Sequence, residues 1–191
     1  MKKVGVALLG LGVVGGGTYQ ILTSKREYIK QNDGIDIEVK CVLERNIERC
    51  KELGVDLSIV STDIERVVSD PDIQIVAEFF GGIEPAKTFL IKALEAGKSI
   101  VTANKEMFSK SWPELEAAAE KGGGGLYFEA SCAGGIPIIR TLTDGMQGNN
   151  ITSLKGIVNG TTNYILSRMS DEGVDLSLIH ISEPTRRSYI S

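Results

Sequence analysis

The run KVGVALLG, residues 3–10, is apolar at every position after its lysine and passes without a break into GLGVVG, residues 10–15. An alternating strand can leave one face to water, whereas a continuous apolar run has to be covered on both. Layers must therefore pack on each side of whatever sheet this strand joins. The glycines that follow allow an abrupt turn, and the segment from Gly12 through Leu22 has the texture of a helix. The opening of the chain commits it to an α/β architecture that begins with a buried strand.

The alternation then continues. IDIEVKCVL is β-branched and alternating, which predicts a second strand, and NIERCKELG predicts a short helix stopped by Gly54. In STDIERVVSD, Asp63 is the expected N-cap of a helical turn. IQIVAEFF reads as another buried strand, ending at Gly81 and Gly82. EPAKTFLIKALEAGK carries the clearest helical pattern, with Pro85 in the first turn, Phe89, Leu90 and Leu94 on one stripe, and Gly97 closing it. SIVTA predicts a strand, WPELEAAAEKG a helix and GLYFEA a strand. This order implies a doubly wound parallel sheet of Rossmann-like type over residues 1–134. Past SCAGGIP, IPIIRTLTDGM predicts a helix, ITSLKGIVNG a strand and TTNYILSRMS a helix. Residues 135–175 are thus expected to begin a second, α+β domain that is too short to bury a core of its own, so the chain reads as truncated.

Gly10, Gly12 and Gly15 fit G-x-G-x-x-G in the context that pattern requires: after a buried strand, at the start of a helix, within a βαβ-sized unit. Gly10 permits the tight turn, Gly12 lets the backbone approach a pyrophosphate, and Gly15 lets the helix pack closely on the strand. The helix start at Val13 and Val14 then offers free N–H groups to phosphate oxygens. A plain strand-to-helix turn is the rival account. At the end of the second strand, an acidic residue would take the ribose 2′-hydroxyl of NAD, and an arginine would accommodate the 2′-phosphate of NADP. The chain has both, as Glu44 and Arg45. Neighbouring strand residues point to opposite faces. Arg45, and with it NADP, is the favoured reading, with NAD left open and two solvated charges as the alternative.

Composition narrows the classes further. With 21 basic and 25 acidic residues the net charge is −4, which offers no field for nucleic acid or a membrane surface. No stretch approaches the roughly 18 apolar residues of a membrane span. The three cysteines, Cys41, Cys50 and Cys132, have no metal-ligand spacing, which suits a cytoplasmic protein.

Three further constellations carry chemistry. VTANK sets Lys105 just past a strand's carboxyl end, on the edge where open α/β sheets bind ligands. There a lysine can carry a proton, orient a carboxylate or touch a cofactor. FEASCAGGIPII joins Glu129 to a glycine-rich turn, an oxygen-rich segment suited to a hard cation or simply a domain-linking turn. NGTTN puts Thr161 or Thr162 at the expected N-cap of a helix whose free N–H groups could hold a substrate carboxylate.

Taken in order and spacing, GLGVVG, GGIEPA, VTANK, FEASCAGGIPII and NGTTNYIL resemble homoserine dehydrogenase over Met1 to about Asp175. The last three together are far more specific than a dinucleotide fingerprint. The resemblance implies interconversion of L-homoserine and L-aspartate 4-semialdehyde with NADP or NAD, in threonine and methionine biosynthesis, by an enzyme that is a homodimer at full length. It implies Lys105 between nicotinamide and substrate. It also implies a sodium site of Glu129 with the backbone carbonyls of Cys132, Gly134 and Ile136, and a homoserine pocket bordered by Gly160 and Thr161. Two departures stand out: Glu44 and Asn46 where the family more often has an aliphatic residue and Asp, and EFFGG where it more often has Leu-Met before the glycines. The family's downstream acidic and lysine residues, including its proton-transferring lysine, are absent.

Two alternatives to a working dehydrogenase follow. One is a fragment that holds NADP without turnover. The other is a semialdehyde dehydrogenase with Cys132 as nucleophile, which would need a base. The one histidine, His180, lies in LSLIHISEPTRRSYIS, residues 176–191, where the resemblance stops. That tail reads as translated sequencing-adapter DNA rather than native protein, so His180 is not expected to serve catalysis.

Overall fold

The computed structural model describes residues 1–157 and 159–177; His180 and the rest of residues 178–191 lie outside them. Six parallel strands form one sheet in the order β3-β2-β1-β4-β5-β6. They are β1 (Lys2–Leu9), β2 (Ile35–Leu43), β3 (Val60–Ser61), β4 (Ile73–Glu78), β5 (Ser99–Thr102) and β6 (Leu126–Tyr127). The helices are α1 (Val13–Ser24), α2 (Arg26–Asp33), α3 (Ile47–Glu52), α4 (Glu65–Val68), α5 (Ala86–Glu95), α6 (Lys105–Gly122), α7 (Ile138–Arg140) and α8 (Gly160–Glu172). The strand order reverses beside β1, so the ends of β1 and β4 make the switch point where doubly wound sheets bind ligands.

The apolar run of β1 is covered on both faces, as its composition demands. Val4, Val6 and Leu8 enter one core with Leu11, Tyr19 of α1 and Cys50 of α3. Ala7 and Leu9 enter the other, with Leu90 and Leu94 of α5 and Met107 and Leu115 of α6. Each fully buried leucine stabilises the fold by roughly 2 kcal/mol relative to an exposed one. Among the described residues no helix is long and apolar enough to cross a membrane.

Several elements differ from the sequence expectation, each for a physical reason. Helix α2 was not anticipated, because it buries no residue and so carries no apolar stripe. Helix α6 starts at Lys105, ahead of the expected WPELEAAAEKG, because the Asn104 side chain caps it by accepting from the Met107 N–H at 3.1 Å. GLYFEA yields only the two-residue β6, since Glu129 to Ser131 turn into a 3₁₀ segment.

The chain divides into two compact units, residues 1–145 and residues from 146 on. In the second, the described part of ITSLKGIVNG is not a strand: residues 151–157 have no regular structure, and Ile151, Leu154 and Ile157 are exposed. A strand exists only through a neighbour's hydrogen bonds, and no described segment pairs with this one. Helix α8 is capped by Asn159, whose side chain accepts from the Thr162 N–H at 2.8 Å, rather than by Thr161 or Thr162. Asn159 holds the extended backbone of an N-cap while Thr161 and Thr162 already lie inside the helix, so the asparagine takes the cap.

Candidate functional site

The glycine turn sits at the end of β1, and each glycine meets a different constraint. Gly10 has φ of +94°, a conformation that other residues rarely adopt. A Cβ on Gly15 would lie 2.1 Å from the Gly10 carbonyl oxygen, so only glycine allows α1 this close to the strand. A Cβ on Gly12 would meet nothing within 4 Å, because this position faces open space instead of protein. Helix α1 has no side-chain cap and no acidic residue in its first turn. Its first amides, at Val13 and Val14, therefore point their N–H groups outward with no internal partner. The two valine side chains are 89% and 57% exposed, unusual for apolar residues beside a cleft. The arrangement fits the pyrophosphate of a dinucleotide: an uncovered helix N-terminus next to a backbone with room for close approach.

A cleft of about 330 Å³ opens beside the turn, lined by Gly10, Gly12, Glu44, Arg45, Phe79, Phe80, Gly81 and Pro85. Glu44 is held by the protein's own backbone. One carboxylate oxygen accepts from Leu11 N–H at 2.8 Å; the other accepts from Arg45 N–H at 2.8 Å and Asn46 N–H at 2.9 Å. It thereby ties the glycine turn to the end of β2, and most of its acceptor capacity is already in use. Arg45 is exposed and makes no ion pair among the described residues. Arg49 braces the same turn from α3, its Nε donating to the Leu11 carbonyl at 3.0 Å.

On the other side of β1, Glu78 ends β4 with no exposed surface. Its carboxylate accepts from the Phe80 N–H at 2.6 Å, the Thr102 hydroxyl at 2.5 Å and, more distantly, the Asn104 amide at 3.5 Å. The Thr102 hydroxyl in turn accepts from the Asn104 N–H at 3.0 Å, and the Asn104 side chain donates to the Gly82 carbonyl at 2.6 Å. Burial pushes the Glu78 carboxyl above the usual carboxylate range, against the opposing effect of these donors. Lys105 follows Asn104 as the first residue of α6; it is exposed and does not line the cleft.

Glu129 is anchored by the stacking of Phe128 on Phe108, with ring centroids 4.4 Å apart, and by the Ser131 hydroxyl donating to the Thr102 carbonyl at 2.7 Å. Its two carboxylate oxygens accept from the Ile139 and Arg140 N–H groups at 2.9 and 2.8 Å, which holds the start of α7. The Ile136 carbonyl accepts from Ile138 N–H at 2.9 Å, and the chain turns through Ala133 and Gly134, both at positive φ. Glu129 and the carbonyls of Cys132, Gly134 and Ile136 lie on one short segment, and oxygen donors of this kind suit a hard cation rather than a soft metal. No cluster of three or more His, Cys, Asp or Glu side chains suited to a metal exists among the described residues. Gly160 and Thr161 open α8 in the second unit, where the first helical turn is exposed and has no acidic residue.

Phe79 and Phe80, noted in the sequence only as a departure from Leu-Met, are part of the site's surroundings. Both touch the glycine turn: a Cβ on Gly10 would come within 3.1 Å of the Phe80 ring, and one on Gly15 within 3.0 Å of Phe79. Phe80 also packs edge-on against Phe89, 6.2 Å between centroids. Their position directly after a buried strand, at the switch point, was the available signal. Glu78 was missed, although a charge inside an apolar run was visible in IQIVAEFF.

A family model described as homoserine dehydrogenase, NAD binding domain, matches residues 10–129, and one described as homoserine dehydrogenase matches residues 137–183. The homoserine dehydrogenase of Bacillus subtilis is 42% identical over 172 residues, covering 90% of this chain and 40% of that protein. A homoserine dehydrogenase structure from Thiobacillus denitrificans matches with a TM-score of 0.80 and 43% identity, over 94% of this chain and 41% of that one. A hyperthermophilic archaeal homoserine dehydrogenase in complex with NADPH matches with a TM-score of 0.74 at 25% identity, over 94% of this chain and 60% of that one. The chain spans about 40% of the length of the curated relatives it matches.

Proposed function

The chain belongs to the homoserine dehydrogenase family, and from that premise we propose that it serves the NAD(P)-dependent interconversion of L-homoserine and L-aspartate 4-semialdehyde. The observation that carries the cofactor half is the uncovered N-terminus of α1 beside Gly12, opening into the same cleft as an unpaired Arg45. The α1 amides at Val13, Val14 and Gly15 hold the pyrophosphate, Gly10 shapes the turn, and Arg45 takes the 2′-phosphate of NADP. Glu44 serves the turn itself, so it competes little for a 2′-hydroxyl. The relative solved with NADPH supports the same preference.

When bound, the nicotinamide accepts or returns the hydride, and the protein must orient the substrate and move its hydroxyl proton. Lys105, at the ligand edge of the sheet, orients the substrate between its own ammonium and the cofactor. Glu129 and the carbonyls of Cys132, Gly134 and Ile136 would hold a sodium ion, which would supply a fixed positive charge at the segment leading into α7. Gly160 and Thr161 offer the first amides of α8 to the homoserine carboxylate.

The direct experiment is titration of the chain with NADPH and NADH, followed by fluorescence, alongside homoserine oxidation followed by nicotinamide absorbance. Tighter binding of NADPH together with turnover supports the whole reading. Binding without turnover restricts it to a cofactor-holding module, and tighter binding of NADH removes the role given to Arg45.

A further inference from the structure

Among the described residues, Glu78 is the one carboxylate at a strand end with no exposed surface, and the cofactor reading assigns it no work. Its partners are the Phe80 N–H, the Thr102 hydroxyl and the Asn104 amide, none of them charged. Such a group is costly to bury, and a hydrophobic residue in its place would leave those donors without an acceptor. What the donors have in common is where they lead. Phe80 forms the cleft wall beside Gly81, and Asn104 both grips the Gly82 carbonyl and caps the helix that begins at Lys105.

We propose that Glu78 is a positioning residue for the nicotinamide half of the dinucleotide site, locking the Phe80–Gly81 wall and the Asn104–Lys105 helix start into one arrangement through Thr102. The proposal rests on the cofactor reading above. The glycine turn at the end of β1 holds the pyrophosphate, and Arg45 at the end of β2 takes the adenosine end. A dinucleotide laid across the switch point must then carry its nicotinamide toward β4 and β5, the two strands that Glu78 and Thr102 terminate. Glu78 faces Thr102 directly across that strand pair. It touches no part of the adenosine side, where Glu44, Arg49 and the α1 amides make the contacts.

The two halves can be separated with a truncated ligand. Adenosine 2′,5′-bisphosphate contains the adenosine and 2′-phosphate of NADPH without the nicotinamide. Binding of both to the 191-residue chain is measured by calorimetry for the wild type, Glu78→Gln, Thr102→Val and Thr102→Ser, with unfolding followed in parallel. Glu78→Gln is nearly isosteric and Thr102→Val keeps the β-branch, so both are designed to fold. The expected result is NADPH binding weakened about fivefold to tenfold by Glu78→Gln and Thr102→Val, as for loss of a charge-assisted hydrogen bond. Bisphosphate binding stays unchanged in both, and Thr102→Ser, which keeps the hydroxyl, restores NADPH binding. Equal weakening of both ligands, or of neither, overturns the proposal, because a purely structural Glu78 would not discriminate between them. If the wild type binds neither ligand, the dinucleotide reading itself fails and the proposal with it.

Discussion

Glu44 directly follows β2 and Glu78 ends β4, the two strands that flank β1, so the same chemical group stands on either side of the glycine turn. Each gives its oxygens to the protein. Glu44 accepts from three backbone amides, at Leu11, Arg45 and Asn46, and remains half-exposed at the cleft. Glu78 accepts from one amide and two side chains and is wholly buried. The difference lies in what replaces each lost bond. Arg45 and Asn46, two of the three residues whose amides Glu44 serves, are exposed, so water can replace its oxygen there, whereas Glu78 and its side-chain partners Thr102 and Asn104 are all buried. A carboxylate on the ligand edge of an α/β sheet is therefore not, by position alone, a ligand-binding group; both of these shape the surfaces that bind.

The comparison breaks most sharply under truncation. Glu78→Ala should lower the unfolding free energy by about 3 kcal/mol, because buried donors lose their acceptor, while Glu44→Ala should cost about 1 kcal/mol, since water takes its place. Denaturant unfolding of the two variants decides the matter, and similar losses would mean that the burial difference has no energetic consequence. Next in size is the turn between them. Gly12→Ala should leave the melting temperature unchanged, since its Cβ meets no protein atom, yet weaken NADPH roughly a hundredfold by filling the pyrophosphate approach. Gly15→Ala, whose Cβ would sit 2.1 Å from the Gly10 oxygen, should instead destabilise the fold itself.

On the Glu44 side, Arg45→Ala should weaken NADPH about tenfold and leave NADH unaffected, consistent with one exposed cation on a phosphate. Equal losses for the two cofactors would take the 2′-phosphate away from Arg45. The smallest effect is that of pH. Because the folded state raises the Glu78 carboxyl above its unfolded value, folding favours its protonated form. Its contribution to stability is fully present below the unfolded value and is lost as pH rises through the folded one. Unfolding free energies from acid toward neutral pH should therefore fall less in Glu78→Gln than in the wild type, and parallel curves would contradict that direction.

The sequence made the alternation of elements and the three glycines of the turn readable, because continuous apolar runs and φ-permissive residues are local signals. β1, α1, α3 and α5 lie where KVGVALLG, GLGVVG, NIERCKELG and EPAKTFLIKALEAGK placed them. Helix α2 escaped notice because its exposed residues show no apolar stripe. The expected strand over ITSLKGIVNG failed for the opposite reason: its alternation is real, but pairing is a property of two segments. At the cap of α8, NGTTN pointed to Thr161 or Thr162, and only the backbone path selected Asn159.

By itself, then, the sequence determined that β1 must be buried on both faces and that its end must carry a tight glycine turn. Apolar periodicity and glycine's missing side chain act over a few residues and need no partner. Only the tertiary structure decided that Glu44 clamps Leu11, that Phe80 walls the cleft, and that Glu78 meets Thr102 and Asn104. Those pairs are separated by 24 to 33 residues in the chain, and it is the strand order of the sheet that brings them within hydrogen-bond distance.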